Sequence, residues 1–234
     1  MLTVDIKKFF ESYCAQFGEL NREQEEGLKA IIDAFAQDVE LEDIRHAAYM
    51  LATTFHETAR TFKPITEYGK QSYFSKYDGR YGNTRPGDGY RYRGRGYVQL
   101  TFRANYQKAS ERLSRLTHRY PDRVNLVENP DLALDPNIAA DILLMGMCEG
   151  WFTGRNLKRY IQGDKKDYYN ARRIINALDK ADDISHYAEK FEAVFEEAIV
   201  STNAEATRTL WAIETDANKP TDITEDHSRK NMLW

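Results

Sequence analysis

A glycine- and tyrosine-rich segment at 64–100 constrains the fold of this chain more than any other feature. It holds seven of the 13 glycines and seven of the 15 tyrosines in the 234-residue sequence. The run at 86–89, Pro-Gly-Asp-Gly, is typical of a turn. The Tyr-Arg-Tyr-Arg run at 90–93 alternates in the way that predicts a strand. We therefore expect a small β-hairpin at 64–100, inserted into a protein that is otherwise helical.

The sequence on both sides of this segment has the periodicity of amphipathic helices. Apolar residues recur at helical spacing over 28–39, 44–55, 106–116, 174–178 and 184–198. Asp135 followed by Pro136 predicts a helix start, with an N-cap and a proline in the first turn. The expected fold class is α+β, mainly α-helical.

No linker interrupts the chain, so we expect effectively one domain. Its parts would be N-terminal helices at 1–43 packed on the core, a core at 44–202 that includes the 64–100 insertion, and a polar C-terminal tail at 203–234. Trp211 and Trp234 lie in that tail.

The charge is unevenly distributed along the chain. The 64–100 segment has five arginines and two lysines against three carboxylates, a net +4, whereas the whole chain has a formal net charge of −4. The remainder therefore carries −8. This acidity argues against a nucleic-acid-binding protein, which needs a broadly basic surface.

Membrane, export and disulfide signals are weak. No apolar run approaches the roughly 18 residues of a membrane helix. The first residues lack the apolar core of a signal peptide, so export by the usual route is not expected. The two cysteines, Cys14 and Cys148, are too few for a disulfide framework or a zinc site.

Two glutamates stand at the start of the 64–100 segment. Glu57 follows the apolar helix 44–55 at the point where polar sequence begins, a position that can desolvate a carboxyl group as a general acid requires. Glu67 lies ten residues later in a predicted loop. Glycoside hydrolysis needs such a pair, one acid for the leaving oxygen and one base for water. Two ordinary surface glutamates remain an alternative interpretation.

Metal and phosphate motifs are incomplete. The pair His56-Glu57 lacks the second histidine of a metalloprotease motif, because position 60 is arginine. The glycines of 94–96 are not followed by the Gly-Lys-Ser/Thr of a phosphate-binding loop. We expect no metal and no organic cofactor.

Three sequence blocks, in this order, resemble glycoside hydrolase family 19. They are FHET at 55–58, GRGYVQLT at 94–101 followed by Asn105-Tyr106, and ARRIIN at 171–176. This family comprises plant-type chitinases and shorter relatives among bacteriophage endolysins. The short spacing and the Tyr-Arg-Tyr-Arg run are more similar to the endolysin branch. The resemblance covers about residues 44–200 and implies a lysozyme-like fold, in which two helical lobes flank a cleft with a small β-sheet on one wall.

The resemblance also implies inverting hydrolysis of a β-1,4 bond next to an N-acetylated sugar. Glu57 matches the general acid, Glu67 is our choice for the base, and Thr101 matches the residue that holds the attacking water. Polar residues that match sugar-binding positions are Gln99, Asn105 and Asn176, and Arg172 or Arg173 would pair with a carboxylate. Tyrosines of the insertion offer flat faces to sugar rings or pack within the hairpin; they include Tyr68, Tyr73, Tyr90 and Tyr92.

The sequence departs from the plant-type pattern at two places. Ala59-Arg60 stand where plant-type enzymes have glycines, and their second glutamate lies about twenty residues after the first. Asp78, at +21 from Glu57, is therefore a rival base. Shorter relatives place an acidic residue near +10, which favours Glu67.

The predicted function is an endolysin that cuts the glycan strand of bacterial peptidoglycan. The basic insertion favours a polymer with carboxylates, as in peptidoglycan, over neutral chitin. A chitinase and a non-catalytic glycan-binding module are the alternatives. We expect a monomer that does not insert stably into membranes. It would accumulate in the cytoplasm of its bacterial host and reach the wall once another factor opens the membrane.

Overall fold

The computed structural model describes residues 2–202, so the predicted tail at 203–234, with Trp211 and Trp234, lies outside the described residues. The helices are α1 Ile6–Phe17, α2 Arg22–Gln37, α3 Ile44–Glu57, α4 Gln71–Phe74, α5 Asp88–Arg91, α6 Arg103–Leu113, α7 Pro136–Glu149, α8 Tyr168–Ala171 and α9 Ala181–Ala198. The strands are β1 Leu2–Val4, β2 Ile65–Thr66, β3 Arg95–Gly96, β4 Ile161–Gln162, β5 Lys165–Lys166 and β6 Ile199–Thr202. Short 3-10 turns lie at Ser75–Tyr77, Pro130–Leu134, Leu157–Arg159 and Arg172–Ile174.

The centre of the molecule is α3, which is buried without interruption from His46 to Phe55. It packs along α9, and α1 lies against the same helix α9. The ring of Phe55 contacts those of Phe17 and Phe191, with centroids 5.0 and 5.8 Å away. Helix α3 is thus fixed from several sides, and so is its last residue, Glu57.

The first two helices belong to the same hydrophobic cluster as the rest of the core. Phe9 of α1 packs on Phe195 of α9 with ring centroids 5.0 Å apart, and α2 packs on α7. Strand β1 pairs antiparallel with β6, which joins the beginning and end of the described chain. Strand β1 and helices α1 and α2 therefore contribute directly to the packing of the core.

Helix boundaries follow local capping groups. The predicted start at Asp135 is confirmed, since its carboxylate accepts hydrogen bonds from the backbone N–H groups of Asn137 and Ile138. Helix α7 ends at Gly150, whose φ of 73° is the left-handed conformation that glycine adopts readily. Helix α2 begins earlier than its apolar periodicity indicates, because Asn21 and Gln24 form a capping box.

The predicted strand at 90–93 is wrong, because these residues begin in the short helix α5. Gly87, at φ 88°, makes a left-handed turn, and the Asp88 carboxylate accepts the Arg85 N–H at 2.9 Å. The N–H of Tyr92 then donates to the Asp88 carbonyl at 2.8 Å. The alternating pattern was therefore overridden by the turn chemistry that precedes it.

The extended residues of the insertion lie instead at its two ends. Strand β2 pairs antiparallel with β3, and Arg95 also forms a bridge to Leu100. Together with the β1–β6 and β4–β5 pairs these are small antiparallel sheets in a mainly helical chain. The expected fold class, α+β and mainly α-helical with a small sheet insertion, is confirmed.

Between β2 and β3 lies a small aromatic cluster, here called the Phe74 cluster, formed by Tyr73, Phe74, Tyr77 and Tyr90. Phe74 is fully buried, and the other three rings have centroids 5.1 to 6.0 Å from its own. It is separate from the main hydrophobic cluster. A Cβ on Gly89 would lie 2.2 Å from the Phe74 carbonyl oxygen, so the close approach at that position requires glycine.

No helix within residues 2–202 combines the length and apolar character needed to cross a membrane.

Candidate active site

Glu57 is the last residue of α3, where the helix is stopped by side-chain and backbone capping. The N–H of Thr58 donates to the Thr54 carbonyl, and the Thr58 hydroxyl accepts the N–H of Phe62 at 3.0 Å. Ala59 and Arg60 follow in left-handed conformations, with φ of 51° and 68°. The chain thus turns away sharply, and the Glu57 side chain is left at the edge of the core.

Arg172 lies behind Glu57 and is only 3% exposed. Its Nη1 donates to Oε1 of Glu57 at 2.6 Å, and its Nε donates to the carbonyl of Asp179 at 3.0 Å. The Glu57 side chain remains 21% exposed. One carboxylate oxygen is therefore held from the protein side, and no hydrogen bond to Oε2 is found within the described residues.

Glu67 directly follows β2 and is held by two uncharged donors. Its Oε1 accepts the Tyr77 hydroxyl at 3.2 Å, and its Oε2 accepts the Gly94 N–H at 3.1 Å. Burial, with the negative charge of Glu67 as the second cause, raises the pKa of Tyr77, so its hydroxyl remains a donor at neutral pH. Within residues 2–202 no cation forms an ion pair with Glu67, so its charge is not cancelled by such a pair.

The block at 94–101 folds into a tight turn that directs some of its side chains into the core and others into the cleft. Tyr97, Val98 and Leu100 are buried in the main core. Gln99, at φ 55°, and Thr101 instead line the cleft. The Thr101 hydroxyl donates to the Gln99 carbonyl at 2.8 Å, and Asn105 Nδ2 donates to the Thr101 carbonyl at 2.8 Å. Gln99 therefore lies between two buried residues, Val98 and Leu100, and Thr101 directly follows the buried Leu100.

Glu57 and Glu67 each line two adjoining cavities, which together form one cleft. One half, of about 770 Å³, is lined by Glu57, Glu67, Gln99, Thr101, Asn105 and Asn176 among others. The other half, of about 710 Å³, shares Glu57, Glu67 and Gln99 and adds Lys63, Tyr68, Tyr90 and Arg93. A polymer lying along the cleft would therefore pass both carboxylates, with subsites on either side of them.

Aromatic residues that the sequence reasoning missed line the larger half. They come from distant parts of the chain and are Tyr77, Tyr81, Phe102, Trp151 and Phe152. Tyr81 is 72% exposed, and its ring is tilted by 55° against that of Phe102, with centroids 4.8 Å apart. Both residues have positive φ, 43° and 74°. Strained backbone of this kind concentrates at binding sites. The only sequence signal for Tyr81 was its place in the tyrosine-rich insertion.

Several predicted site residues lie elsewhere. The carboxylate of Asp78 accepts the N–H groups of Gly87 and Gly89, at 3.1 and 2.7 Å, and lines neither half of the cleft. Tyr73 is outside the cleft, with Lys76 Nζ 3.5 Å above its ring. Arg173 donates to Asn170 Oδ1 at 3.3 Å and does not reach Glu57.

The remaining predicted residues differ in exposure. Tyr68 lines the smaller half and is fully exposed. Tyr92 is a core residue whose hydroxyl donates to the Val127 carbonyl at 3.1 Å, so its ring offers no face to a ligand. Asn176 is exposed at the rim of the larger half, with its Oδ1 accepting the Ala177 N–H at 2.8 Å.

Among the described residues no group of three or more histidine, cysteine, aspartate or glutamate side chains is arranged to hold a metal ion. Both cysteines are free and partly buried, and burial raises the pKa of Cys148 to about 12.

Comparison with known proteins identifies the fold. No family model matches the sequence, and no curated protein sequence matches it. Solved structures do match. Chitinase C from Streptomyces griseus is 19% identical with a TM-score of 0.53, over 80% of this chain and 76% of that one. A mutant of chitinase C is 20% identical with a TM-score of 0.52, over the same shares of the two chains. A bacterial family 19 chitinase is 19% identical with a TM-score of 0.51, over 80% of this chain and 93% of that one. The chain therefore has the lysozyme-like fold of these chitinases.

Proposed function

We propose that this protein is a glycoside hydrolase that cuts β-1,4 bonds of the peptidoglycan glycan strand by an inverting acid/base mechanism. The observation that carries the proposal is the presence of Glu57 and Glu67 at the junction of both halves of one cleft. Inverting glycosidases need two carboxyl groups with different roles at the scissile bond. The different surroundings of the two side chains fit such a division of roles.

In this mechanism Glu57 is the general acid. Its Oε2 carries the proton that passes to the glycosidic oxygen as the bond to the leaving sugar breaks. Oε1 stays an acceptor for Arg172 whether or not Oε2 is protonated, because a carboxylic acid keeps acceptor capacity. Arg172, being buried, is a positioning residue that fixes the carboxyl group rather than a contact to substrate.

Glu67 is the general base and accepts a proton from water as that water attacks the anomeric carbon. Tyr77 and Gly94 hold its two oxygens without neutralising its charge. The Thr101 hydroxyl donates its proton to the Gln99 carbonyl, so its oxygen can accept a hydrogen bond from the attacking water. Asp78 is less suited to this role, since both of its oxygens bind backbone N–H groups outside the cleft.

Sugar binding is assigned to polar and aromatic groups along the cleft. Gln99, Asn105 and Asn176 offer amides to sugar hydroxyls and acetamido groups, and Tyr68 offers an exposed ring. Because the aromatic residues occur on both sides of the carboxylate pair, the enzyme would bind within a chain rather than at its end.

A chitinase of the same mechanism is the second candidate. It is favoured by the solved structures that share the fold, all three of which are chitinases by name. Peptidoglycan is favoured by the basic character of the insertion, from which Arg93 reaches the cleft wall. The resemblance of the sequence to endolysins supports a protein that is made in a bacterial host and acts on the wall after the membrane is opened.

Purified sacculi and soluble chitin oligomers test the proposal together. The protein is expected to release reducing ends from sacculi faster than from chitin oligomers, and proton NMR of fresh products should show the inverted anomer. Glu57→Gln should abolish hydrolysis with an unchanged circular dichroism spectrum. Glu189→Gln, an exposed change on α9 with the same chemistry, is the matched control. Hydrolysis that survives Glu57→Gln would refute the acid assignment, and faster chitin cleavage would favour the second candidate.

A further inference from the structure

A further cavity, here called the side hollow, adjoins the smaller half of the cleft. This side hollow has a volume of about 620 Å³ and shares Tyr90 and Arg93 with the cleft. Its other charged lining residues are Arg85, Asp88, Arg91 and Arg95 on the insertion, and Glu128 and Asp131 beyond it. A linear sugar chain in the cleft would leave this hollow empty, whereas a branch on the chain could enter it past Arg93.

Arg93 lies where the side hollow adjoins the cleft, and its positive charge is not paired with a carboxylate of the described residues. Its guanidinium lies over the Tyr90 ring, 4.0 Å from the centroid, and Nη1 donates to the Tyr90 carbonyl at 2.8 Å. Within residues 2–202 Arg93 forms no ion pair. Stacking and one backbone bond orient a guanidinium without using the rest of its five donors. The group is therefore pre-arranged to receive a carboxylate from a ligand.

Arg91 and Arg95, two residues on either side of Arg93, are held by the protein. Arg95 is 4% exposed and pairs with Asp131, Nε to Oδ1 at 2.8 Å. Arg91 donates to the backbone carbonyls of Val127 and Glu128 at 3.2 and 2.8 Å. These contacts stabilise the wall of the side hollow, whereas the guanidinium of Arg93 makes a single hydrogen bond within residues 2–202.

The side hollow carries both charge signs. Asp88 uses its carboxylate on the Arg85 N–H, and Glu128 is exposed on the other side. A surface with arginines and carboxylates facing one space suits a ligand with both signs, such as a short peptide with free carboxyl and amino groups. The stem peptide of peptidoglycan has that chemistry, and chitin has no such branch.

We propose that the side hollow receives the peptide stem that branches from the glycan strand, and that Arg93 binds a carboxylate of that stem. The inference rests on the proposed function, because it assumes the glycan lies in the cleft. It makes Arg93 the residue that distinguishes peptidoglycan with stems from an unbranched glycan.

The experiment compares three substrates with one glycan backbone: strands that bear stem peptides, the same strands after the stems are removed by an amidase, and stem-bearing strands whose carboxyl groups have been converted to amides. The readout is the ratio of kcat/KM for stem-bearing over denuded strands. Arg93→Gln is expected to lower this ratio about tenfold, the scale of one charge-assisted hydrogen bond. Amidated stems should lower it to the same extent in the unmodified protein.

Arg80→Gln is the matched control, because Arg80 is an exposed arginine of the same segment that lines neither the cleft nor the side hollow. It should leave the ratio unchanged. Arg93→Lys keeps the charge but loses the planar fork, and should give an intermediate ratio. An unchanged ratio in Arg93→Gln overturns the proposal. An equal loss on denuded strands also overturns it, since the carboxylate would then be the lactyl group or the role structural.

A binding arm separates this proposal from the catalytic one. In the Glu57→Gln background, calorimetry with stem-bearing and denuded strands should show the same tenfold dependence on Arg93. If the protein cleaves neither glycan, the proposed function fails, yet the calorimetric ratio still decides whether Arg93 recognises the stem.

Discussion

The ion pair between Arg172 and Glu57 is predicted to be among the costliest contacts of the cleft to break. Arg172→Met removes the cation and keeps most of the side-chain volume. Removal of one partner of a buried pair costs about 3–5 kcal/mol, because the other charge is left without a counter-ion. The Glu57 side chain is 21% exposed, so water reduces this penalty and the lower end applies. We expect about 3 kcal/mol of lost stability.

Urea denaturation followed by circular dichroism measures this loss, with four proteins in a double-mutant cycle. They are the unmodified chain, Arg172→Met, Glu57→Gln and the double variant. The double variant should be less destabilised than the sum of the two single changes by at least about 1 kcal/mol, because neither charge is then left alone. Arg173→Met should cost less than about 1 kcal/mol, because within the described residues the Arg173 side chain hydrogen-bonds only to Asn170. A loss below about 1 kcal/mol for Arg172→Met, or a coupling near zero, would refute the reasoning.

Three further predictions concern pH, the base and the N-terminal helices. Burial lowers the pKa of His46 below its usual 6.5, so the unfolded chain takes up the proton first as the pH falls. The free energy of unfolding should therefore decrease as the pH drops below about 6.5. Urea titrations at about pH 7 and about pH 5.5 should show a smaller decrease for His46→Gln, but not for the exposed control His118→Gln. Gly94→Ala places a Cβ 2.6 Å from Gln99 Oε1 and 3.2 Å from Glu67 Oε2, so kcat on sacculi should fall at least tenfold with little change in helix content. Deletion of 1–43 removes buried Leu28, Ile31 and Phe35 and should give an unfolded or insoluble chain by circular dichroism and gel filtration; a folded, active product would contradict this.

The sequence was most informative where one local rule decides the structure. Apolar spacing located α3 and α9, and Asp135-Pro136 located the start of α7, because periodicity and capping act within a few residues. The strand prediction at 90–93 failed because the φ of Gly87 and the hydrogen bond from the Arg85 N–H to the Asp88 carboxylate, rather than alternation, determine the backbone there. Sequence patterns of period two carry no information about the turn that precedes them.

The candidate site was only partly predictable for a related reason. The structure brings Glu57, Glu67, Gln99 and Thr101 into one cleft. Three of them belong to the motif blocks, whereas Glu67 was chosen for its spacing of ten residues from Glu57. The aromatic wall was not predicted, because Trp151 and Phe152 follow the end of α7, about fifty residues beyond the last residue of the 94–101 block. The use of Asp78 as a backbone tether was equally invisible, since it depends on N–H groups nine and eleven residues away.

The Phe74 cluster has a consequence for how the enzyme would lose activity on heating. Glu57 ends a helix locked into the main core, but Glu67 is held in part by Tyr77, which belongs to the separate Phe74 cluster. Small units with few buried apolar contacts open locally at lower free energy than the whole domain. The proposed acid and the proposed base therefore belong to parts of different local stability. Inactivation should precede the melting of the helices, and the temperature gap between the two would report how firmly the insertion is closed.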